Sequence, residues 1–375
     1  MISYRSLVAV IAIVFATSAA TAQTFVDSEH YRLKLTPVTD RLEYPWGMAF
    51  LPDGNLLITE RGGSLRVVQM NGDVSGEISG VPVVAAAGQG GLLDVALDPD
   101  FTEKKYIYLS FSEPGPGGAG TSVARGHLNL EAMQLTDVEV IFRQTPKTGT
   151  SRHFGSRLIF ARDGTLFITT GDRGERDRVQ DFSINRGQII RINPDGTIPP
   201  DNPFVGKEGY RPEVWSLGHR NPQGAALHPE TGDLWTVEHG ARGGDEINIP
   251  RAGRNYGWPV ISYGTHYSGG SIGIGTSAPG YEQPVYYWDP SIAPSGMTFY
   301  SGNVFPAWTG SVFVGALKDR LLSRLELDGD TVVAEEQFMH ELGERIRAIQ
   351  EGPDGFIYLL TDDDPGQLIR VEPAQ

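Results

Sequence analysis

The sequence contains no cysteine. Disulfide cross-links, Cys/His zinc sites and a Cys–His nucleophile pair are therefore excluded. Long helical periodicities are scarce, and beyond residue 22 no apolar run is long enough to cross a bilayer. Several catalytic signatures are also missing. The segment "HELGE" at His340 is not the H-E-x-x-H zinc pattern, because Glu344 replaces the second histidine. There is no G-x-S-x-G elbow, no Walker loop and no G-x-G-x-x-G after a strand, so a serine hydrolase, an ATPase and a Rossmann dehydrogenase lack their primary evidence. Positive charge is in deficit too. The 31 Lys and Arg face 46 Asp and Glu, for a net charge of −15. That balance argues against nucleic acid and anionic membrane surfaces as partners, and suits calcium and small neutral substrates.

The N-terminus is a separate segment. One charge, Arg5, precedes an apolar run from Leu7 to Ala16, and Ala20-Thr21-Ala22 reads as a small-x-small cleavage site. This predicts a secretory signal peptide over residues 1–22 and a soluble, exported mature chain from about Gln23, periplasmic or secreted, with no membrane insertion. Cleavage removes Arg5, leaving 30 basic against 46 acidic residues and a charge of −16. Without disulfides, stability must come from a large core, bound ligands or both.

What is present is β-type. The chain carries 47 glycines and 25 prolines, and a turn-then-strand unit recurs along it. "PDGNLLITE" begins at Pro52, "RDGTLFITTGD" at Arg162, "ETGDLWTVEHG" at Glu230 and "GPDGFIYLLTDD" at Gly352. Looser versions are "FTEKKYIYLSF" from Phe101 and "WTGSVFVGALKD" from Trp308, which makes six units at spacings of roughly 45 to 80 residues. Irregular repetition of this kind predicts an all-β, six-bladed β-propeller forming a single domain over residues 23–375. A β-sandwich with long loops is the competing architecture. Two stretches, residues 172–213 and 251–300, read as inserted loops that build a pocket on one face.

Five places are more polar than a strand–turn unit requires. His153 stands in "TGTSRHFGSRLIF", beside a small-residue turn at the head of an apolar run. Gln89 sits among glycines in "AAGQGGLLDVALDP", where a backbone can approach a ligand closely. "SLGHRNPQGAALHP" gathers His219, Arg220, Asn221 and Gln223. "VEHGARGGDEINIPRAGRNYGWP" joins Glu238, Asp245 and Glu246 to a glycine-rich loop, a composition that suits a hard cation taking carboxylate and carbonyl oxygens. Lys318 in "GALKDR" and Arg345 and Arg347 in "ERIRAI" form a spread of cations. At i and i+2 on a strand the two arginines share a face, which fits a polyanionic ligand or salt bridges with Glu341, Glu344 or Asp319.

Read together, "LGHRNPQG", "HGARGGDEIN", "NYGWP" and "DGTIPPDNPF" resemble the soluble PQQ-dependent glucose/sorbosone dehydrogenase family, nearest to its periplasmic aldose sugar dehydrogenase branch. The resemblance runs from about Leu42 to the C-terminus and implies a six-bladed propeller. It implies that His153 is the general base, taking the proton from the sugar C1 hydroxyl while hydride passes to the C5 carbonyl of PQQ. Asp172 would support that histidine. Gln89 would line the pocket, Arg220 and Asn221 would contact the quinone, and Lys318, Arg345 and Arg347 would meet the three carboxylates of PQQ. Carbonyls at Gly240 and Ala241 would bind a catalytic Ca²⁺, and Glu246 and Tyr256 a second, structural one. Arg152 and Ala241 depart from the family pattern, and the loops are short, which implies a broad aldose range and a monomer passing electrons to an external acceptor. The alternatives are a calcium-dependent propeller lactonase, a propeller binding module without cofactor, and a sorbosone-type or other alcohol substrate.

Overall fold

The computed structural model describes residues 24–374. The expected signal peptide lies outside the described residues. Six antiparallel sheets follow one another along the chain. Their innermost strands are Pro45–Phe50, Leu92–Leu97, Gly155–Phe160, Pro222–Leu227, Pro294–Phe299 and Ile346–Glu351. Each packs against the innermost strand of the next sheet, and Ile346–Glu351 packs back against Pro45–Phe50, so the ring closes. This is the expected six-bladed propeller. The sixth blade joins the two ends of the chain. Gly366–Pro373 pairs with Arg32–Leu42, and Thr24–Asp27 adds an outer strand.

The six turn-then-strand units of the sequence correspond to the second strands of the six blades. Five of these, Leu56–Glu60, Leu166–Thr170, Leu234–Glu238, Val312–Ala316 and Ile357–Thr361, are buried along their whole length. Neighbouring blades cover both their faces, which explains why they are continuous apolar runs and do not alternate. Every blade interface holds its own apolar cluster, such as Leu57, Leu92 and Leu109 between the first two blades, and Trp235, Met297 and Val314 between the fourth and fifth. Each fully buried Leu, Val or Met stabilises the fold by about 1.5–3 kcal/mol. A cysteine-free chain of this length can therefore rest on its core.

The two predicted inserted loops are more ordered than the sequence suggested. The first contains the third strand of blade three, Ile189–Ile192, and the fourth, Val214–Ser216, follows directly on it. The second contains Tyr286–Trp288 and Pro294–Phe299. Residues 172–188 and 193–213 of the first, and the long connection 251–285 of the second, remain as loops.

Candidate functional site

Strand register brings distant residues together. In five blades the start of the innermost strand pairs with the end of the second: Pro45 with Glu60, Gly155 with Thr170, Pro222 with Glu238, Pro294 with Ala316 and Ile346 with Thr361. Residues just before an inner strand (His153, Asn221, Arg345) and just after a second strand (Asp172, Gly240, Lys318) therefore meet at one end of the channel. A cavity of ≈ 760 Å³ opens there, lined by Gln89, His153, Asp172, Arg220, Ala241 and Trp258 among others.

His153 stands in its wall with a left-handed backbone, φ 57°. Gln89 holds this conformation, its Oε1 accepting the His153 backbone N–H at 2.6 Å. The facing strand end must be glycine, because a Cβ on Gly171 would lie 1.9 Å from the His153 carbonyl oxygen. The imidazole Nδ1 is 2.6 Å from Asp172 Oδ1. Asp172 Oδ1 also accepts the Gly174 N–H at 2.6 Å, and its Oδ2 accepts the Trp258 indole N–H at 2.9 Å. Burial opposes the Asp172 charge, but the bonds from His153 and Gly174 and the nearby Arg220 outweigh it and hold the carboxyl below its ordinary range. Burial pushes His153 down, and Arg220 and Arg152 add to this against the pull of Asp172. The pair is thus an ionised aspartate and a neutral imidazole, with the proton on Nδ1. Among the described residues nothing bonds Nε2, which leaves its lone pair available at the cavity.

Arg220 and Asn221 stand beside this pair. The Arg220 carbonyl accepts the Asp172 N–H at 2.8 Å, and its Nη1 donates to the His239 carbonyl at 3.0 Å. Its guanidinium lies 5.3 Å from the Trp258 ring centre. Asn221 Oδ1 accepts the Gly155 N–H at 3.0 Å. Arg220 Nε and Asn221 Nδ2 are buried donors without a protein partner. Such atoms are rare in a finished interior and mark where a ligand's acceptors belong. His239, between the two cavities that follow, is held neutral by burial and by the positive charges of Arg220 and neighbours, its pKa pushed down to about 3.

A second cavity of ≈ 590 Å³ shares Ala241 and Tyr267 with the first and extends past Gly240 and Ser291 to Lys318. Lys318 Nζ bonds the Ser291 carbonyl at 2.7 Å and Asp319 at 2.9 Å. Arg345 reaches the Leu317 carbonyl at 3.2 Å, beside Lys318. The structure bears out the expected shared face of the two arginines, since Arg345 Nη2 and Arg347 Nη2 meet the same atom, Asp362 Oδ2, at 2.9 and 3.0 Å. Arg61 comes within 3.5 Å of Asp362 Oδ1. Burial would raise Asp362, but Arg347 and Arg345 reverse this and hold it down at about 2. Of the salt-bridge partners the sequence offered, only Asp319 is used.

A third cavity, of only ≈ 10 Å³, lies between Glu238, Gly240, Glu246, Tyr256 and Trp258. It has room for about one water or ion. Burial and the neighbouring Glu238 carboxylate raise Glu246. Its nearest donor is Asn248 Nδ2 at 3.3 Å, and Asn248 Oδ1 is buried without a partner. Gly240 is fixed by its N–H to Asp245 Oδ1 at 2.8 Å. The Tyr256 hydroxyl is committed, donating to the Ile249 carbonyl and accepting the Arg251 N–H, so Tyr256 could serve a cation only through its carbonyl. Among the described residues there is no cluster of three or more His, Asp or Glu side chains arranged for a metal, so an ion here would need main-chain oxygens beside the Glu246 carboxylate.

Sequence reasoning reached the His–Asp pair, the flanking Gln89, Arg220 and Asn221 and the three cations, but missed Trp258 as a partner of Asp172, Arg61 and Asp362 in the cation cluster, His239, and the supporting Asn248 and Ser291. Trp258 lies 86 residues from Asp172, in a loop with no strand register to place it. Asp362 had a signal, since it follows the fourth clear unit as Asp172 follows the second.

The His–Asp pair, the polar cavity and the cations beyond it all gather at one end of a closed propeller. The chain belongs to the glucose/sorbosone dehydrogenase family, whose profile matches residues 42–370. It is 48% identical over 338 residues to the aldose sugar dehydrogenase YliI of Escherichia coli (strain K12), covering 89% of this chain and 91% of that one. A crystal structure of a glucose dehydrogenase, 51% identical, superposes with a TM-score of 0.89 over 91% of this chain and 99% of its own. The PQQ-bound aldose sugar dehydrogenase of Streptomyces coelicolor, 28% identical, superposes with a TM-score of 0.74 over 92% and 99%.

Proposed function

We propose that this family member oxidises aldose sugars at C1 to the lactone, using PQQ and Ca²⁺, with His153 as general base. The observation that carries this reading is the neutral imidazole whose Nδ1 is tied to Asp172 and whose Nε2 faces the cavity unbonded. The Nε2 lone pair accepts the C1 hydroxyl proton. Asp172, ionised beside Nδ1, stabilises the imidazolium that results and fixes the ring's orientation. A positioned base of this kind contributes about 10²–10⁴-fold in rate.

The residues fit the cofactor. Arg220 Nε, Asn221 Nδ2 and Arg347 Nε are buried donors without protein acceptors, and a ligand rich in carbonyl and carboxylate oxygens would satisfy them. Three guanidiniums, of Arg61, Arg345 and Arg347, share the single Asp362 carboxylate, so positive charge is left over for an anion. Lys318, Arg345 and Arg347 would hold the carboxylates, and Arg220, Asn221 and Gln89 the quinone end. Gly240 and Ala241 carbonyls would hold a catalytic Ca²⁺, and the small cavity at Glu246 and the Tyr256 carbonyl a second ion. Bound PQQ supplies the two-electron acceptor and Ca²⁺ a Lewis acid. Residues 1–22 would deliver the protein to the periplasm or outside the cell, and N-terminal sequencing of the exported protein should begin near Gln23.

The test is reconstitution of the purified mature protein with PQQ and Ca²⁺, followed by oxidation of a panel of aldoses with an artificial electron acceptor. Turnover that needs both additions and fades with a chelator supports the reading. A protein that binds no PQQ and oxidises no aldose contradicts it, and lactone hydrolysis would then be assayed.

A further inference from the structure

The rim of the His153 cavity is cationic, in a protein of net charge −15. Four arginines line it: Arg152, Arg176, Arg178 and Arg220. Three of its carboxylates are already engaged. Asp172 serves His153, Glu175 is bound by the buried Arg186, and the exposed Asp177 lies 3.3 Å from Arg176. Arg178 is paired with Asp181 at 2.9 Å. Arg176 spends a second donor on a ring nitrogen of His266, Nη1 to Nδ1 2.9 Å, which adds no negative charge.

Arg220 has no carboxylate partner, but it donates to the His239 carbonyl. Arg152, an exposed residue, makes no side-chain salt bridge or hydrogen bond among the described residues. Only its main chain is fixed. Its carbonyl is held by Arg173, and its guanidinium lies over Gly174, where a Cβ would come 2.7 Å from Nε. Gly174 has φ 71°, so the turn after Asp172 both needs glycine and leaves the space that Arg152 fills. Arg152 is also near enough to His153 to press its pKa down. An unpaired guanidinium on the rim of the base's cavity can bond the planar or tetrahedral oxygens of an anionic group with two N–H groups.

We infer that Arg152 reads a negative charge on the substrate, so that the site favours aldoses carrying a carboxylate or phosphate away from C1 over neutral ones. The inference rests on the aldose-oxidising reading and names its substrate class. Both anions share the chemistry Arg152 recognises. A sugar carboxylate and a sugar phosphate differ in charge and geometry, and separate substrates tell them apart.

The experiment uses the PQQ- and Ca²⁺-loaded protein with glucose, glucuronate and glucose 6-phosphate. The kcat/KM ratio of the preferred anionic sugar to glucose is expected to exceed one, to fall about tenfold in Arg152→Ala and further in Arg152→Glu, and to be largely kept in Arg152→Lys. The effect should shrink at high salt. A preference for glucuronate alone identifies the carboxylate, and one for glucose 6-phosphate alone the phosphate. A ratio at or below one, or a ratio unmoved by Arg152→Glu, overturns the inference while leaving aldose oxidation intact. If no sugar is oxidised the activity reading fails. Equilibrium binding of the same three sugars to wild type and Arg152→Glu then decides the present point, with equal affinities overturning it.

Discussion

The protein holds two histidine–carboxylate pairs, built from nearly the same parts and put to different use. His153 Nδ1 meets Asp172 at 2.6 Å, and His219 Nδ1 meets Glu238 at 2.9 Å. Asp172 follows a second strand and Glu238 ends one, and both histidines stand just ahead of an inner strand. The difference lies at the other ring nitrogen. His219 Nε2 bonds Ser216 Oγ at 2.9 Å, the ring is fully buried, and it stacks on Tyr256 at 4.8 Å. His153 Nε2 bonds no described residue and faces a ≈ 760 Å³ cavity. A histidine with both nitrogens satisfied is part of the frame. One oriented by an acid and open at the far side can move a proton. The pairs are also coupled, because Glu238 Oε2 accepts the N–H of Arg220, whose carbonyl in turn accepts the N–H of Asp172.

The contrast can be broken in order of expected effect. His153→Ala should lower kcat by about 10²–10⁴-fold with PQQ affinity close to wild type, measured by steady-state turnover and cofactor titration. Asp172→Asn should cost about 10²-fold in kcat, because the imidazolium loses its counter-charge. His219→Ala should act on stability, lowering ΔG of unfolding by about 3 kcal/mol, as it opens a hole beside Tyr256 and takes a partner from the buried Glu238. Denaturant unfolding checks this. Trp258→Phe removes one hydrogen bond to Asp172 Oδ2, worth about 1 kcal/mol, and should slow turnover about fivefold. The pH dependence sharpens the same point. The base must be neutral, so activity is lost as pH falls through the His153 pKa. That pKa is pushed below its ordinary 6.5, so the acidic limb of kcat/KM should lie below 6.5.

Much of this was legible in the sequence for a physical reason. The six turn-then-strand units were visible because second strands, covered on both faces, must be continuous apolar runs. His153 and Asp172 were visible because each flanks such a run, and the resemblance joined them. The closure of the ring was not legible. Arg32–Leu42 carries an ordinary strand pattern, and nothing in it names Gly366–Pro373 as its partner across the whole chain. Trp258 was missed for a related reason, since it reaches Asp172 through a loop conformation that no periodicity records. Arg61 had a signal, because it follows the first unit as Asp362 follows the fourth. Apart from the resemblance, nothing in the sequence ranks the two histidines, because the distinction rests on whether a cavity lies beyond the ring.

The most direct test of the central claim is a single-turnover measurement on wild type and His153→Ala, both loaded with the same amount of PQQ and Ca²⁺ and mixed with saturating aldose. The account predicts that the rate at which bound PQQ is reduced falls at least 10²-fold in the variant, while the same substitution at His219, in protein still folded, leaves it within about tenfold of wild type. Reduction of PQQ in His153→Ala at a rate close to wild type would contradict the assignment of His153 as the base.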